Sequence, residues 1–122
     1  MASIKPKIRV EYAENVTIIT LVDDKILEEE DVRALRESIM SVVEQAGGMN
    51  LILDFRNVQS LSSAVLGLLI RISKRIYEMD GQLRLCNIAP KIREVFRITR
   101  LTKVFDIYED LEGAAEGLSG AD

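Results

Sequence analysis

An almost continuous apolar run at residues 50–55, NLILDF, constrains the fold more than any other feature of the chain. The run is too short for a helix, and it is too uniformly apolar for a strand that has one face in water. Such runs are typical of a central strand that is covered on both faces. A short polar loop and a long helical run at residues 63–79 follow it. The sequence therefore predicts a helix packed against a largely parallel sheet.

Strand-like and helical segments alternate along the rest of the chain. An initial hairpin is predicted at residues 8–22 with its turn at 13–15, and further strands at 82–88 and 103–108. Helices are predicted at residues 27–48, ending at Gly47 and Gly48, and at 89–101 and 110–118. This order predicts an α/β fold with a mixed central sheet of about five strands and helices packed against it. We expect a single domain over residues 1–122, with residues from about 5 to 118 ordered and a frayed end.

The composition of the chain excludes several kinds of site. None of the 122 residues is His and Cys86 is the only cysteine, which excludes Ser-His-Asp sites, internal disulfides and thiolate metal clusters. The chain also lacks a Gly-rich phosphate-binding loop. We therefore expect no enzyme activity, no metal and no cofactor. The net charge of −4 argues against binding to nucleic acid or an anionic membrane. The chain lacks a run long enough to span a membrane and a secretory signal at its start, so we expect a cytoplasmic location.

The helix predicted at residues 63–79 carries more apolar residues than one buried stripe requires. The predicted stripe comprises Val65, Leu68 or Leu69, Ile72, Ile76 and Met79. Leu66 and Ile70 lie off this stripe, on a ridge with Gly67, Arg71, Lys74 and Tyr77. Either the neighbouring elements cover this ridge, or it is an apolar strip with basic flanks that binds another protein. For the other helices, Val42 and Val95 are expected to face inward together with Leu69.

Two adjacent serines, Ser62 and Ser63, stand where this helix begins. Ligands and reactive groups of α/β folds tend to lie beyond the carboxyl ends of strands, and the loop at residues 56–62 leaves such an end. One serine can be the N-cap, with its hydroxyl accepting a hydrogen bond from the first turn. A phosphoserine at the same place would be held by the helix N-terminus and would repel a packed partner. Asp54, at the end of the strand, is interpreted as a hydrogen-bond acceptor that orients the loop.

The segment from residue 51 to residue 110 resembles a STAS domain, the family of sulphate transporters and anti-sigma factor antagonists. The family pattern is an apolar strand ending in Asp, a short loop, the motif Asp-Ser-(Ser/Thr)-Gly-Leu-Gly and a helix, then a later Gly and a T-x-L-x-x-x-F segment. The matching features here are Asp54, SSAVLG at 62–67, Gly81 and TRLTKVF at 99–105. By this alignment the phosphorylatable serine is Ser63. Ser62 replaces the usual Asp and is the alternative acceptor.

The resemblance implies a regulatory binding module in a partner-switching pathway. In that scheme the antagonist binds an anti-sigma factor, which is a serine kinase of the histidine-kinase-like ATPase type. Phosphorylation releases the antagonist and a phosphoserine phosphatase resets it, while ATP and Mg²⁺ belong to the kinase. The expected partner interface comprises Ser62, Ser63, Leu66, Gly67, Ile70 and Lys74. The alternative is a STAS scaffold or sensory-complex subunit that works by self-association or by binding other proteins, without phosphorylation. A weak homo-oligomer is also among the expected assemblies.

Overall fold

A five-stranded mixed sheet forms the centre of the computed structural model, which describes residues 7–46 and 50–118. Seven strands occur in these residues: β1 (Ile8–Ala13), β2 (Val16–Leu21), β3 (Lys25–Ile26), β4 (Asn50–Asp54), β5 (Ser60–Leu61), β6 (Gln82–Cys86) and β7 (Asp106–Tyr108). The sheet has the order β1-β2-β4-β6-β7, while β3 and β5 form a separate parallel pair. Only β1 is antiparallel to its neighbour. The predicted α/β fold with an initial hairpin at one edge is confirmed.

Four helices in the described residues cover the two faces of the sheet, three on one face and a short fourth helix on the other. They are α1 (Glu29–Ala46), α2 (Ser63–Glu78), α3 (Pro90–Ile98) and the short α4 (Leu111–Ala115). The larger core cluster joins apolar residues of α1, α2 and α3 to Leu51 and Leu53 of β4. A smaller cluster joins α4 to Ile52 on the same strand. Leu51, Ile52 and Leu53 are all 0% exposed, which confirms the prediction that this strand is covered on both faces.

Two predictions about the C-terminal half were wrong in detail. The last strand begins at Asp106, because a 3₁₀ turn, Leu101–Lys103, occupies the residues before it. Val95 was expected to face inward but is 40% exposed. The short helix α3 buries only Ile92 and Phe96, which lie one turn apart, and Val95 lies to one side of that narrow contact. Val42 is partly buried and packs against the larger core cluster.

Some predictions concern residues that the structure does not describe. The predicted helix end at Gly47 and Gly48 lies outside the described residues, as do residues 5 and 6 of the expected ordered range and the expected frayed end at 119–122. In the parts of the chain that are described, no helix is both long and apolar enough to cross a membrane.

Candidate protein-binding site

The start of α2 is fixed by the small β3–β5 pair. In this pair Lys25 lies opposite Ser60 and Ile26 lies opposite Leu61. The backbone N–H of Ser62 extends the pairing by donating a hydrogen bond to the carbonyl of Ile26 at 3.0 Å. The beginning of α2 therefore lies beside the segment that leads into α1.

Asp54 links the loops that follow β4 and β6. The side chain is fully buried, and one carboxylate oxygen accepts hydrogen bonds from the backbone N–H of Arg56 at 2.9 Å and the amide of Asn87 at 3.0 Å. The other oxygen accepts from the guanidinium Nε and Nη2 of Arg56 at 2.9 and 2.6 Å. Burial alone would raise the pKa of Asp54, but these hydrogen bonds outweigh it and hold the pKa below its usual value of 3.8. Such contacts suit an acceptor that orients the loop.

The two serines have different surroundings. Ser62 is the N-cap of α2, but its side chain makes no capping hydrogen bond. Its hydroxyl oxygen is buried and has no hydrogen-bond partner in the described part of the chain. The capping hydrogen bond considered from the sequence is therefore absent, because the backbone of Ser62 is held by Ile26 while the hydroxyl lies in the interior. Ser63 is the first residue of the helix and is exposed.

The inner face of α2 is wider than the sequence indicated. Its buried residues are Val65, Leu66, Leu68, Leu69, Ile72 and Ile76. Leu66, which was predicted to lie on the outer ridge, is only 8% exposed and belongs to the larger core cluster. Of the two alternatives that the sequence left open for the ridge, coverage by a neighbouring element applies to Leu66, because α1 packs alongside α2 and widens the covered face beyond the side that meets the sheet. The inclusion of Leu66 in the expected partner interface was therefore wrong.

An exposed line of side chains remains on α2, and we call it the α2 ridge. It consists of Ser63, Gly67, Ile70, Lys74 and Tyr77, all exposed. Steps of four and three residues place them one above another on the helix. Ile70 is 44% exposed in the middle of α2, and Tyr77 is 81% exposed one residue before the helix ends. The ridge thus combines apolar surface, one cation and a serine at its N-terminal end.

Gly67 has no packing role among the described residues. Apart from its chain neighbours and the backbone of its own helix, a Cβ atom added at this position would meet no atom within 4 Å. Glycine in a helix interior is less favourable than alanine by about 1 kcal/mol. Glycine therefore makes the helix less stable, although no neighbouring residue requires the space. It leaves the helix backbone uncovered in the middle of the α2 ridge.

A cleft of about 540 Å³ adjoins the N-terminal end of the α2 ridge. It is lined by Leu27, Glu29, Val32, Arg33, Arg36, Ser62, Ser63 and Ala64. Leu27 is 48% exposed, and Arg33 contacts Glu29 at 3.3 Å. Arg36 forms no ion pair with any described residue. No local pattern in the sequence indicates this cleft, because the β3–β5 pairing and the packing of α1 against α2 bring Leu27 and Arg36 to the two serines.

No metal site can be assigned in the described ranges, where no three His, Cys, Asp or Glu side chains are grouped as ligands. Cys86 is buried, and burial raises the pKa of its thiol to about 12. This thiol is therefore protonated at neutral pH and packs in the smaller core cluster.

Comparison with known proteins agrees with the fold and extends the description of the chain. The STAS domain family model matches residues 7–114. BtrV of Bordetella bronchiseptica, assigned to the anti-sigma factor antagonists, is 28% identical over 85 residues, covering 70% of this chain and 73% of BtrV. The anti-sigma-B factor antagonist of Bacillus subtilis is 28% identical over 82 residues, which cover 67% of this chain and 73% of that protein. The solved structure of an anti-sigma-factor antagonist (STAS) domain protein from Planctomyces limnophilus superposes with a TM-score of 0.84 at 25% identity. The superposition covers 93% of this chain and 98% of that protein.

Proposed function

The chain belongs to the STAS domain family, and on that basis we propose that it is an anti-sigma factor antagonist that binds its partner through the α2 ridge. The names of the similar proteins from Bordetella and Bacillus support this class of function. The partner is an anti-sigma factor, a serine kinase of the histidine-kinase-like ATPase type. The chain acts as a binding module and a substrate, and it supplies no catalytic residue.

The observation that carries the proposal is the exposure of Ile70 and Tyr77 on the α2 ridge. Complete burial of an apolar side chain contributes about 1.5–3 kcal/mol, and Ile70 is already partly covered, so its share is smaller. The aromatic ring of Tyr77 has a larger free area to contribute, and tyrosine is enriched at protein interfaces. Lys74 between them suits a partner with an acidic side chain at the matching position. Gly67 allows the partner to approach the helix backbone closely.

Phosphorylation at Ser63 is proposed to release the partner. Ser63 is exposed at the N-terminal end of the α2 ridge, whereas the hydroxyl oxygen of Ser62 is buried. A phosphate on Ser63 is tolerated by the fold, because the helix N-terminus favours an anion and Arg36 lines the adjacent cleft without an ion pair. The phosphate carries nearly two negative charges, so it opposes the approach of an acidic or apolar partner surface. A phosphoserine phosphatase then restores the binding form.

Affinity capture from a lysate of the native host tests the proposal. The baits are the unmodified chain, Ile70→Asp and Val95→Asp, and mass spectrometry identifies the captured proteins. Val95 is a matched control, because it is also an aliphatic residue on a helix, 40% exposed against 44% for Ile70. We expect an anti-sigma factor with a serine-kinase domain to be captured by the parent and by Val95→Asp but not by Ile70→Asp. Capture of other STAS proteins alone would contradict the proposal and support the scaffold function.

A further inference from the structure

The outer edge of β1 is open along six residues, Ile8–Ala13, because no described residue pairs with it. The pairing of β1 with β2 determines which residues of β1 direct their backbone N–H and C=O groups outward. The N–H of Val22 donates to the carbonyl of Lys7 at 3.1 Å, and these two residues continue the register in which Ile8 lies opposite Leu21. Hydrogen-bonded pairs alternate in an antiparallel ladder. The N–H and C=O groups of Ile8, Val10 and Tyr12 therefore point outward, away from β2.

These outward groups restrict how a second copy of β1 can add to the edge in antiparallel orientation. If a two-fold axis passes through Val10, then Val10 pairs with Val10, and Ile8 pairs with Tyr12 on both sides. In the same register Arg9 lies opposite Glu11 twice, at the more closely spaced positions of the ladder. The next allowed registers, two residues away, place Arg9 opposite Arg9 or Glu11 opposite Glu11. The charges of β1 therefore favour this register over the one with Glu11 opposite Glu11. The register with Arg9 opposite Arg9 would also bring Lys7 opposite Glu11, but Lys7 is already ion-paired with Asp23 and Asp31.

The side chains that this register brings together have no close partner in the described structure, although the charge of Glu11 also acts on Arg56. Arg9 and Glu11 are exposed, and neither forms an ion pair or hydrogen bond with a described residue. They lie on the face opposite to Ile8 and Val10, which pack against the larger core cluster. On that face α4 covers β4, β6 and β7, so it does not cover β1. Tyr12 is 72% exposed and would cover Ile8 of the other copy, an aromatic and β-branched pair of the kind that stabilises sheets.

We propose that this edge binds a second copy of the chain, forming a continuous sheet through antiparallel β1 strands in the Arg9–Glu11 register. The contact involves one strand from each copy, so the dimer is weak and reversible, with a dissociation constant between about 10 μM and 1 mM. The α2 ridge is not part of this contact, because α2 packs over β6 in the other half of the sheet. Each copy in the dimer keeps its α2 ridge exposed.

Sedimentation equilibrium of the full chain between about 10 μM and 1 mM in moderate salt tests the dimer. The variants are Arg9→Glu, Glu11→Arg and the double exchange Arg9→Glu/Glu11→Arg. Each single variant replaces two attractive pairs with two repulsive ones, so we expect its association constant to fall by about tenfold or more. The double exchange restores opposite charges across the axis, and its association constant should return to within about threefold of the parent value.

Lys91→Glu is the matched control, because Lys91 is an exposed cation on α3 without an ion pair among the described residues. It changes the net charge by the same amount as Arg9→Glu, and it should associate like the parent. A parent chain that stays monomeric at about 1 mM would overturn the proposal. It would also be overturned if the double exchange stayed dissociated, if the single variants associated like the parent, or if Lys91→Glu weakened association equally.

Discussion

Ser62 and Ser63 are adjacent and chemically identical, yet their surroundings in the structure differ. The backbone of Ser62 is bound to Ile26 and its hydroxyl oxygen is buried without a partner. Leaving a buried polar group unpaired costs about 1–3 kcal/mol. The hydroxyl of Ser63 is on the exposed first residue of α2, where a kinase can reach it. A shift of one residue at the start of α2 thus separates a buried serine from an exposed one, which is the candidate phosphate acceptor.

Ser62→Ala tests this difference between the serines. Replacing an N-cap serine usually costs about 1 kcal/mol, but here no capping hydrogen bond is lost and an unpaired hydroxyl is removed. We expect the free energy of unfolding, measured in urea, to stay equal or to rise by up to about 1 kcal/mol. The variant should remain a substrate of the captured kinase, with phosphate mapped to Ser63, whereas Ser63→Ala should not be phosphorylated. Destabilisation by 1 kcal/mol or more, or phosphate at position 62 of the parent, would contradict the assignment.

The lowered pKa of Asp54 implies that the stability of the fold depends on pH in acid. Its pKa is lowered in the folded chain, so its contribution is present above the usual value of 3.8 and is lost as pH falls through the folded value. We expect Asp54→Asn to be less stable than the parent at pH 7 by about 2 kcal/mol, since charged hydrogen bonds from Arg56 and Asn87 are weakened. This difference should shrink as the pH is lowered below about 4. Urea unfolding of both proteins from pH 7 to pH 2.5 measures it, and a difference that does not vary with pH would refute the role given to the carboxylate.

Helix α2 has a buried face that packs in the core and an exposed face that carries the proposed binding surface. The periodicity of its apolar residues predicted the buried stripe correctly but placed Leu66 outside it. The burial of Leu66 depends on α1 packing alongside α2, and a pattern within one helix carries no information about that neighbour. Leu66→Asp is therefore expected to unfold the domain by placing an unpaired charge in the core. Ile70, one turn further along the helix, remains the appropriate position for a binding variant.

Gly67 offers a test in which stability and binding change in opposite directions. The helix interior favours other residues over glycine, and nothing within 4 Å obstructs an added Cβ. Gly67→Ala should raise the free energy of unfolding by about 0.5–1 kcal/mol, and Gly67→Gln should do so by a similar or slightly smaller amount. If a partner approaches the α2 ridge closely, Gly67→Gln should lower its affinity by about tenfold, since a long side chain enters the contact. A stabilised Gly67→Gln chain that binds like the parent would exclude Gly67 from the interface.

The order of the main helices and strands in the whole molecule was predictable from the sequence. The contacts between segments that are distant in sequence were not. The run at residues 50–55 identified the central strand, because a strand covered on both faces needs apolar residues at successive positions. The β3–β5 pair was missed, since each strand has two residues and their pairing joins distant parts of the chain. The same pairing creates the cleft beside Ser63, so Leu27 and Arg36 were missed with it.

In the proposed function, the α2 ridge binds the partner and phosphate on Ser63 controls this binding. Calorimetric titration of the captured anti-sigma factor with the unmodified and the Ser63-phosphorylated chain tests both parts of this proposal. Charge repulsion and desolvation beside the contact are expected to cost between one and a few kcal/mol. The phosphorylated chain should therefore bind about ten- to a thousandfold more weakly, while its melting temperature stays close to that of the unmodified chain. Equal affinities for the two forms would contradict the claim.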